Sequence, residues 1–259
     1  MKAIILAAGK GERINNITQT IPKPMIVVNG KPILQHNIEL CKKFGITDIF
    51  INVHHLSDII TDFFGNGEKF GVNISYSIEE TLHGTSGAVR KIAKDLWNLD
   101  IQKTTLINSP ITPSPRHSVI SSLHHYVTSD AFFVLYGDNF SDYNLSLLEL
   151  KAVDTNALAI IGFHYRKDTS TSGVAEFDQQ GKVLKFIEKP KNKESDSHWV
   201  NAGIYYLTPS ILEFIPEQFS DFGKDIFPDL LQRGIPIYGI CEDIEVKAFD
   251  TYEMIEKNK

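Results

Sequence analysis

Cysteine is scarce in this chain, with two in 259 residues, and neither Cys41 nor Cys241 has the neighbours that metal-ligand spacing requires. Both sit in apolar patterns and read as reduced packing residues. Positive charge is in deficit as well: 26 Lys and Arg stand against 32 Asp and Glu, a net charge of −6. A nucleic-acid surface needs a basic patch to displace counterions from phosphates, so no nucleic-acid partner is expected. No apolar run approaches the roughly 20 residues that cross a bilayer, which excludes a helical membrane span. The opening MKAIILAAGK is too short an apolar run for a signal peptide and reads as a buried strand, making the cytoplasm the expected location. Internal repeats, low-complexity segments and linkers are also missing. The expectation is therefore one compact domain over residues 1–259, with 42% hydrophobic residues to fill its core. The oligomeric state is left open, and a homo-oligomer is compatible with everything above.

What is present is alternation. Short apolar runs at Lys2–Ala8, Asp48–Val53, Val72–Ile78 and Ala131–Gly137 read as strands separated by amphipathic stretches, the pattern of βαβ units feeding a parallel sheet. Leu34, Ile38 and Cys41 share one helix face, and Gly45 ends that helix. Further helices are expected over about Leu56–Phe64 and Thr85–Trp97. The second half carries closely spaced strands at Ala157–Tyr165, Gly173–Phe177, Val183–Ile187 and Val200–Leu207, which suggests added antiparallel strands. A helix near Asp225–Gln232 and a strand at Ile235–Ile240 follow. The fold expected is α/β: a Rossmann-like three-layer arrangement around a mixed, mostly parallel sheet. The stretch Asn98–Asp130 receives no function, though a helix over about Ser118–Val127 fits within it.

The most informative segment follows the first strand, LAAGKGERINNITQTIPKPM from Leu6 to Met25. Ala7, Ala8, Gly9 and Gly11 carry little or no side chain, so a triphosphate could approach the backbone and accept hydrogen bonds from its N–H groups. Taken alone, the glycines are equally well read as a tight structural turn. Two cations follow, Arg13 and Lys23. The span Gly9–Lys31 is expected to be a long loop at the carboxyl end of the strand, where open α/β sheets bind ligands. Pro22 and Pro24 are expected to hold Lys23 in extended backbone. A second chemical signal is FVLYGDNF at Phe133–Phe140. Asp138 ends an apolar strand next to a glycine, a position suited to holding Mg²⁺. The pairs His54-His55 and His124-His125 do not form a metal site, because neighbouring side chains diverge.

The segment Leu6–Leu34, which includes VNGKPIL, resembles the signature of the sugar-phosphate nucleotidyltransferase family. This Rossmann-like group makes activated sugars such as GDP-mannose and dTDP-glucose and includes mannose-1-phosphate guanylyltransferases and glucose-1-phosphate thymidylyltransferases. Two departures are Glu12, where the family has threonine or serine, and Asn16, where it often has proline. The resemblance continues through YSIEETLHGTSGAV, IEKP and VNAGIYYLTPSIL, and so covers most of the chain. It implies a nucleotide-binding part over about 1–140 and a sugar-phosphate-binding part over about 141–259.

By that resemblance, Glu79 and the backbone around Gly84, Thr85 and Gly87 face the nucleobase. A carboxylate there accepts two hydrogen bonds, which suits guanine and favours GTP. Lys189 contacts the sugar 1-phosphate, Glu188 and Asn201 hold sugar hydroxyls, and Gly173 and Gly203 let the sugar approach the backbone. Asp138 is a metal ligand. A second ligand is expected from Lys247–Lys257, where the family's spacing is not kept: Asp250 is the expected aspartate, and the alternative alignment puts Ala248 in its place. The implied reaction condenses a nucleoside triphosphate with a sugar 1-phosphate and releases pyrophosphate, with Arg13, Lys23, Lys189 and Mg²⁺ neutralising charge. Competing readings are a cytidylyltransferase acting on another phosphorylated alcohol and a non-catalytic binding or regulatory subunit.

Overall fold

The computed structural model describes residues 1–11, 14–95, 130–191, 194–249 and 252–256. Its strands are β1 (Lys2–Leu6), β2 (Val27–Val28), β3 (Lys31–Pro32), β4 (Asp48–Val53), β5 (Asn73–Ile78), β6 (Phe132–Tyr136), β7 (Asn139–Phe140), β8 (Ala159–Tyr165), β9 (Gly173–Phe177), β10 (Val183–Glu188), β11 (Trp199–Leu207), β12 (Tyr238–Glu242) and β13 (Lys247–Ala248). The α-helices are α1 (Asn15–Thr18), α2 (Ile33–Lys43), α3 (Ser57–Phe64), α4 (Gly84–Asp95), α5 (Leu145–Thr155), α6 (Phe227–Gln232) and α7 (Tyr252–Glu256).

One mixed nine-stranded sheet organises these elements. Strands β6, β1, β4 and β5 run parallel, in that order. Antiparallel β11 adds to β6 and branches to β8 and β9, and β10 extends from β9. Strand β12, near the strand expected at Ile235–Ile240, pairs with β8 in parallel. Alternate side chains of a strand point to opposite faces, and here both faces are dry. Ala3 and Ile5 of β1 join Leu34, Ile38 and Cys41 of α2, Ile60 and Phe64 of α3 and Leu145 and Leu148 of α5 on one side. Ile4 joins Val89 and Ile92 of α4 and Phe227 and Leu230 of α6 on the other. That double burial is why β1 and β6 read as continuous apolar runs.

Several expectations need correction. The span from Gly9 to Lys31 is not a continuous loop: it contains α1, a 3₁₀ turn at Lys23–Met25 and β2. Lys23 is therefore not extended. Pro22 is extended, and its carbonyl accepts from Met25 N at 2.8 Å. Pro24 fits the turn because its fixed φ suits a helical start, where a missing N–H costs nothing. Cys41 is fully buried, and burial pushes its thiol up to about 12, whereas Cys241 is exposed on β12. Helix α5 is absent from the sequence reading. Leu145, Leu148 and Ala152 are its buried face, but Leu147 and Leu150 on other faces blur the stripe. The helix placed over Ser118–Val127 and the pair His124-His125 lie outside the described residues.

Candidate functional site

The carboxyl ends of β1 and β6 meet because Gly137 has no side chain. Its N–H donates to the Leu6 carbonyl at 2.8 Å, and a Cβ on it would lie 2.9 Å from that oxygen. This crossing delivers Asp138 to the loop that follows β1. Asp138 Oδ2 lies 2.5 Å from Lys23 Nζ. Lys23 is 5% exposed, so the carboxylate partly offsets the cost of a buried cation. The turn carrying Asp138 is held from both sides, by Asn37 Nδ2 donating to the Asn139 carbonyl at 2.9 Å and by Asn139 Nδ2 donating to the Ala202 carbonyl at 3.0 Å.

Around this turn lies a cavity of about 210 Å³. Asp138, Gly173, Glu188, Lys189, Asn201 and Gly203, all singled out from the sequence, line it together. Gly203 sits at φ +69° in a register shift of β11 between Asn201 and Tyr205, and a Cβ there would meet the Tyr136 ring at 2.7 Å. The bulge turns Asn201 to accept from Gly203 N at 2.9 Å and donate to Tyr205 Oη at 2.8 Å. Lys189 is held at φ +53°, a region lysine rarely adopts. Glu188 Oε2 fits between Gly173 and Gly223, where Cβ atoms would lie 2.8 and 2.6 Å away. Burial first, and the Asp221 charge second, hold the Glu188 carboxyl above the ordinary range.

The cavity also contains residues the sequence reading missed: Tyr136, Asn139, His164, Arg166, Thr171, Ser172 and Asp221. Asp221 had a legible signal. It caps the turn at Phe222–Ile226, accepting from Gly223 N and Lys224 N, and such a residue ahead of a helical run is the usual capping choice. His164 is 4% exposed, and burial, followed by the Arg166 charge, lowers it to about 4. It is neutral at pH 7.

At the phosphate loop, Gly11 is at φ +64°, and a Cβ would meet Thr18 Cγ2 at 2.6 Å. Gly9 has nothing within 4 Å of such an atom. Ala7 and Ala8 are nearly buried, and the Ala7 N–H already donates to Asn52 Oδ1 at 2.7 Å. Glu79, the carboxylate expected to face the base, is bonded within the chain. It is 2% exposed; Oε1 accepts from Asn52 Nδ2 at 2.8 Å and Oε2 from His83 N at 3.1 Å. Gly84 and Thr85 pack against the segment around Ser220 and Asp221. A Cβ at Gly84 would lie 2.1 Å from the Ser220 carbonyl oxygen, and Thr85 Oγ1 donates to Asp221 Oδ2 at 2.8 Å. His54 and His55 bridge backbone, contacting the Glu79 and Thr18 carbonyls at 2.7 and 3.1 Å.

Arg13 and Asp250 lie outside the described residues. Their flanking residues converge, since Ile14 and Phe249 belong to one small apolar cluster with Ile26, Val28, Ile33 and Ile255. Ala248 pairs with Asn139, next to Asp138. No group of three or more His, Cys, Asp or Glu side chains is gathered for a metal among the described residues. Mg²⁺ needs less than that, because it is held by one or two carboxylates with phosphate oxygens and waters completing the shell. The Asp138 side chain is 35% exposed, and its second oxygen has no hydrogen bond among the described residues, so the donor set fits a hard cation that arrives with a phosphate.

Comparison with known proteins agrees with this geometry. The family model described as nucleotidyl transferase matches residues 2–109 and 116–246. The chain is 35% identical over 257 residues to a UTP–glucose-1-phosphate uridylyltransferase of Synechocystis, covering 95% of this chain and 59% of that protein. It is 31% identical over 236 residues to a D-glycero-α-D-manno-heptose 1-phosphate guanylyltransferase of Campylobacter jejuni, covering 90% and 86%. Among solved structures, HddC from Yersinia pseudotuberculosis complexed with GMP-PN superposes with a TM-score of 0.73 at 20% identity, over 99% of this chain and 97% of that one. The matched sequence, the mixed sheet and the shared fold lead to one assignment: the chain belongs to the sugar-phosphate nucleotidyltransferase family.

Proposed function

We propose that the chain transfers a nucleotidyl group from a nucleoside triphosphate to a sugar 1-phosphate, giving a nucleoside diphosphate sugar and pyrophosphate. The observation that carries this reading is the Lys23–Asp138 contact at the edge of a cavity that also holds Glu188, Lys189 and Asn201. A buried cation stands at the phosphate loop, and a pocket of hydrogen-bonding groups opens beside it. Residues 1–140 are assigned to the nucleotide and 141–259 to the sugar phosphate, within one domain in the cytoplasm.

In the proposed step, an oxygen of the sugar phosphate bonds to the α-phosphorus while the bond from that phosphorus to the bridging oxygen of pyrophosphate breaks. The nucleophile is already ionised at neutral pH, so no side chain need remove a proton. Both reactants are anions, and neutralisation is the main task of the protein. A fixed cation about 4 Å from a phosphate oxygen offsets on the order of 4 kcal/mol at an effective dielectric of 20. Arg13 and Lys23 take the triphosphate and the leaving group, and Lys189 orients the sugar phosphate. Glu188 and Asn201 accept and donate to sugar hydroxyls. Asp138 and Asp250 would hold Mg²⁺, which supplies charge neutralisation at the α-phosphate when bound.

GTP was the sequence-based choice of nucleotide, and it rested on Glu79. The base is to be settled by assay among GTP, UTP and dTTP, since the two relatives above are named for guanylyl and uridylyl transfer. Pyrophosphate release across a panel of nucleotides and sugar 1-phosphates tests the reading. Turnover on one pair supports it, and nucleotide binding without release on any pair rejects it.

A further inference from the structure

The cavity beside Asp138 is divided by chemistry. Glu188 and Asp221 give one part of its wall two carboxylates, which accept hydrogen bonds when ionised and so meet the hydroxyls of a sugar. Another part is built from His164, Arg166, Thr171 and Ser172, and it carries no carboxylate. Arg166 follows β8 and braces the turn that leads into β9. Its Nε donates to the Asp168 carbonyl at 2.6 Å, and Nη2 donates to Thr171 Oγ1 at 3.0 Å and Ser172 Oγ at 2.8 Å. Asp168 itself gives its Oδ1 to Ser170, accepting from N at 3.0 Å and from Oγ at 2.7 Å.

These contacts fix the character of the two hydroxyls. A guanidinium only donates, so the oxygens of Thr171 and Ser172 serve as acceptors toward it and each keeps its own O–H to give elsewhere. Neither O–H has an acceptor among the described residues. His164 adds a third donor. It is 4% exposed and neutral at pH 7, so one ring nitrogen carries a hydrogen, and the ring makes no hydrogen bond to another side chain among the described residues. A buried donor without an acceptor is costly. The Arg166 charge stands close enough to disfavour protonation of His164, and the same charge favours an anion at this wall.

We propose that the wall formed by His164, Arg166, Thr171 and Ser172 binds a carboxylate carried by the sugar, and that the preferred acceptor is a sugar-acid 1-phosphate of the hexuronic type. A carboxylate is ionised at neutral pH and only accepts, which matches three donors beside a guanidinium. A hydroxyl in its place brings a donor of its own and no charge. Discrimination of this kind is strong, because the neutral sugar leaves the donors of the site without acceptors. The proposal rests on the nucleotidyl-transfer reading for turnover, while preference between sugar phosphates can be measured as binding alone.

The experiment compares wild type, Arg166→Gln and Ser172→Ala on glucuronic acid 1-phosphate and galacturonic acid 1-phosphate against glucose 1-phosphate and galactose 1-phosphate. Affinities are measured by calorimetry, with and without a non-hydrolysable nucleotide, and kcat/KM by pyrophosphate release. Wild type is expected to favour an acid over its neutral counterpart by about ten- to a hundredfold, the scale of a hydrogen bond to a charged group. Arg166→Gln should abolish most of that ratio and Ser172→Ala part of it. Equal or better use of the neutral sugars by wild type, or no binding of either acid, overturns the proposal. So does a fall by one common factor for acid and neutral sugars in Arg166→Gln, which would make Arg166 a contact of the 1-phosphate or a brace of the turn. If Arg166→Gln does not fold, Ser172→Ala and Thr171→Val decide the matter by the same ratio. Preferential binding of an acid without pyrophosphate release from any pair refutes the enzymatic reading alone.

Discussion

Lys23 and Asp138 are 115 positions apart in the chain, and their side chains meet at 2.5 Å, joining the loop after the first strand to the end of a central one. The contact requires two backbone devices: a 3₁₀ turn that brings Lys23 inward, and Gly137, whose missing side chain lets β6 cross close to β1. Replacing Lys23 by alanine removes a buried cation and leaves Asp138 without its partner. A fall in kcat/KM of about 10²- to 10³-fold is expected, the usual effect of deleting a preorganised charge-stabilising group. Asp138→Asn should fall by a similar factor and the double variant by little more, because the two act as a unit. Steady-state kinetics on the three proteins checks this.

Glu188 links binding to pH. Its folded pKa is raised, first by burial and then by Asp221. The folded state therefore carries a penalty once the group ionises, absent below the unfolded pKa and fully present above the folded one. Glu188→Gln should raise the melting temperature at pH 8 and lose that advantage toward pH 4. The same substitution should raise KM for the sugar phosphate about tenfold, since a hydrogen bond to a charged group is worth about 1.5–3 kcal/mol. Thermal scans across pH, with kinetics at pH 8, test both parts.

His164 has the opposite sense. Burial lowers it to about 4 from an ordinary 6.5. The unfolded chain takes up a proton over that interval and the folded protein does not, so stability is full above pH 6.5 and drains away toward pH 4. His164→Asn should flatten that slope. Denaturant unfolding at pH 7.5 and 5 measures it.

Gly84 tests the seam between the two halves. A Cβ there would lie 2.1 Å from the Ser220 carbonyl oxygen, and φ is +78°. Gly84→Ala should cost about 1–3 kcal/mol from overpacking alone and loosen the Thr85–Asp221 hydrogen bond. A loss of that size in urea, with nucleotide use impaired, is the expected result.

Strands β1 and β6 were legible because their apolar runs are continuous, while β4, which carries Asn52, and β5, which alternates buried and exposed residues, were placed by the turn signals that flank them. Strand β4 lies at the residues expected for it. The cavity residues Asp138, Glu188, Lys189 and Asn201 were legible as motifs. His164 and Arg166 were not, and Asp221 was legible only as a helix cap, since a β-strand end and a capping position become a pocket wall only through tertiary packing. The hydrogen bond from Asn52 to Glu79 was not legible either, because its partners lie 27 residues apart and meet only across the sheet.

The central claim is nucleotidyl transfer to a sugar 1-phosphate. Its most direct test is Mg²⁺-dependent pyrophosphate release across common nucleoside triphosphates and sugar 1-phosphates, with Asp138→Ala measured in parallel. The account predicts turnover for at least one pair and its loss in the variant. Release that is unchanged in Asp138→Ala, or silence across the panel from a folded protein that binds nucleotide, would contradict it.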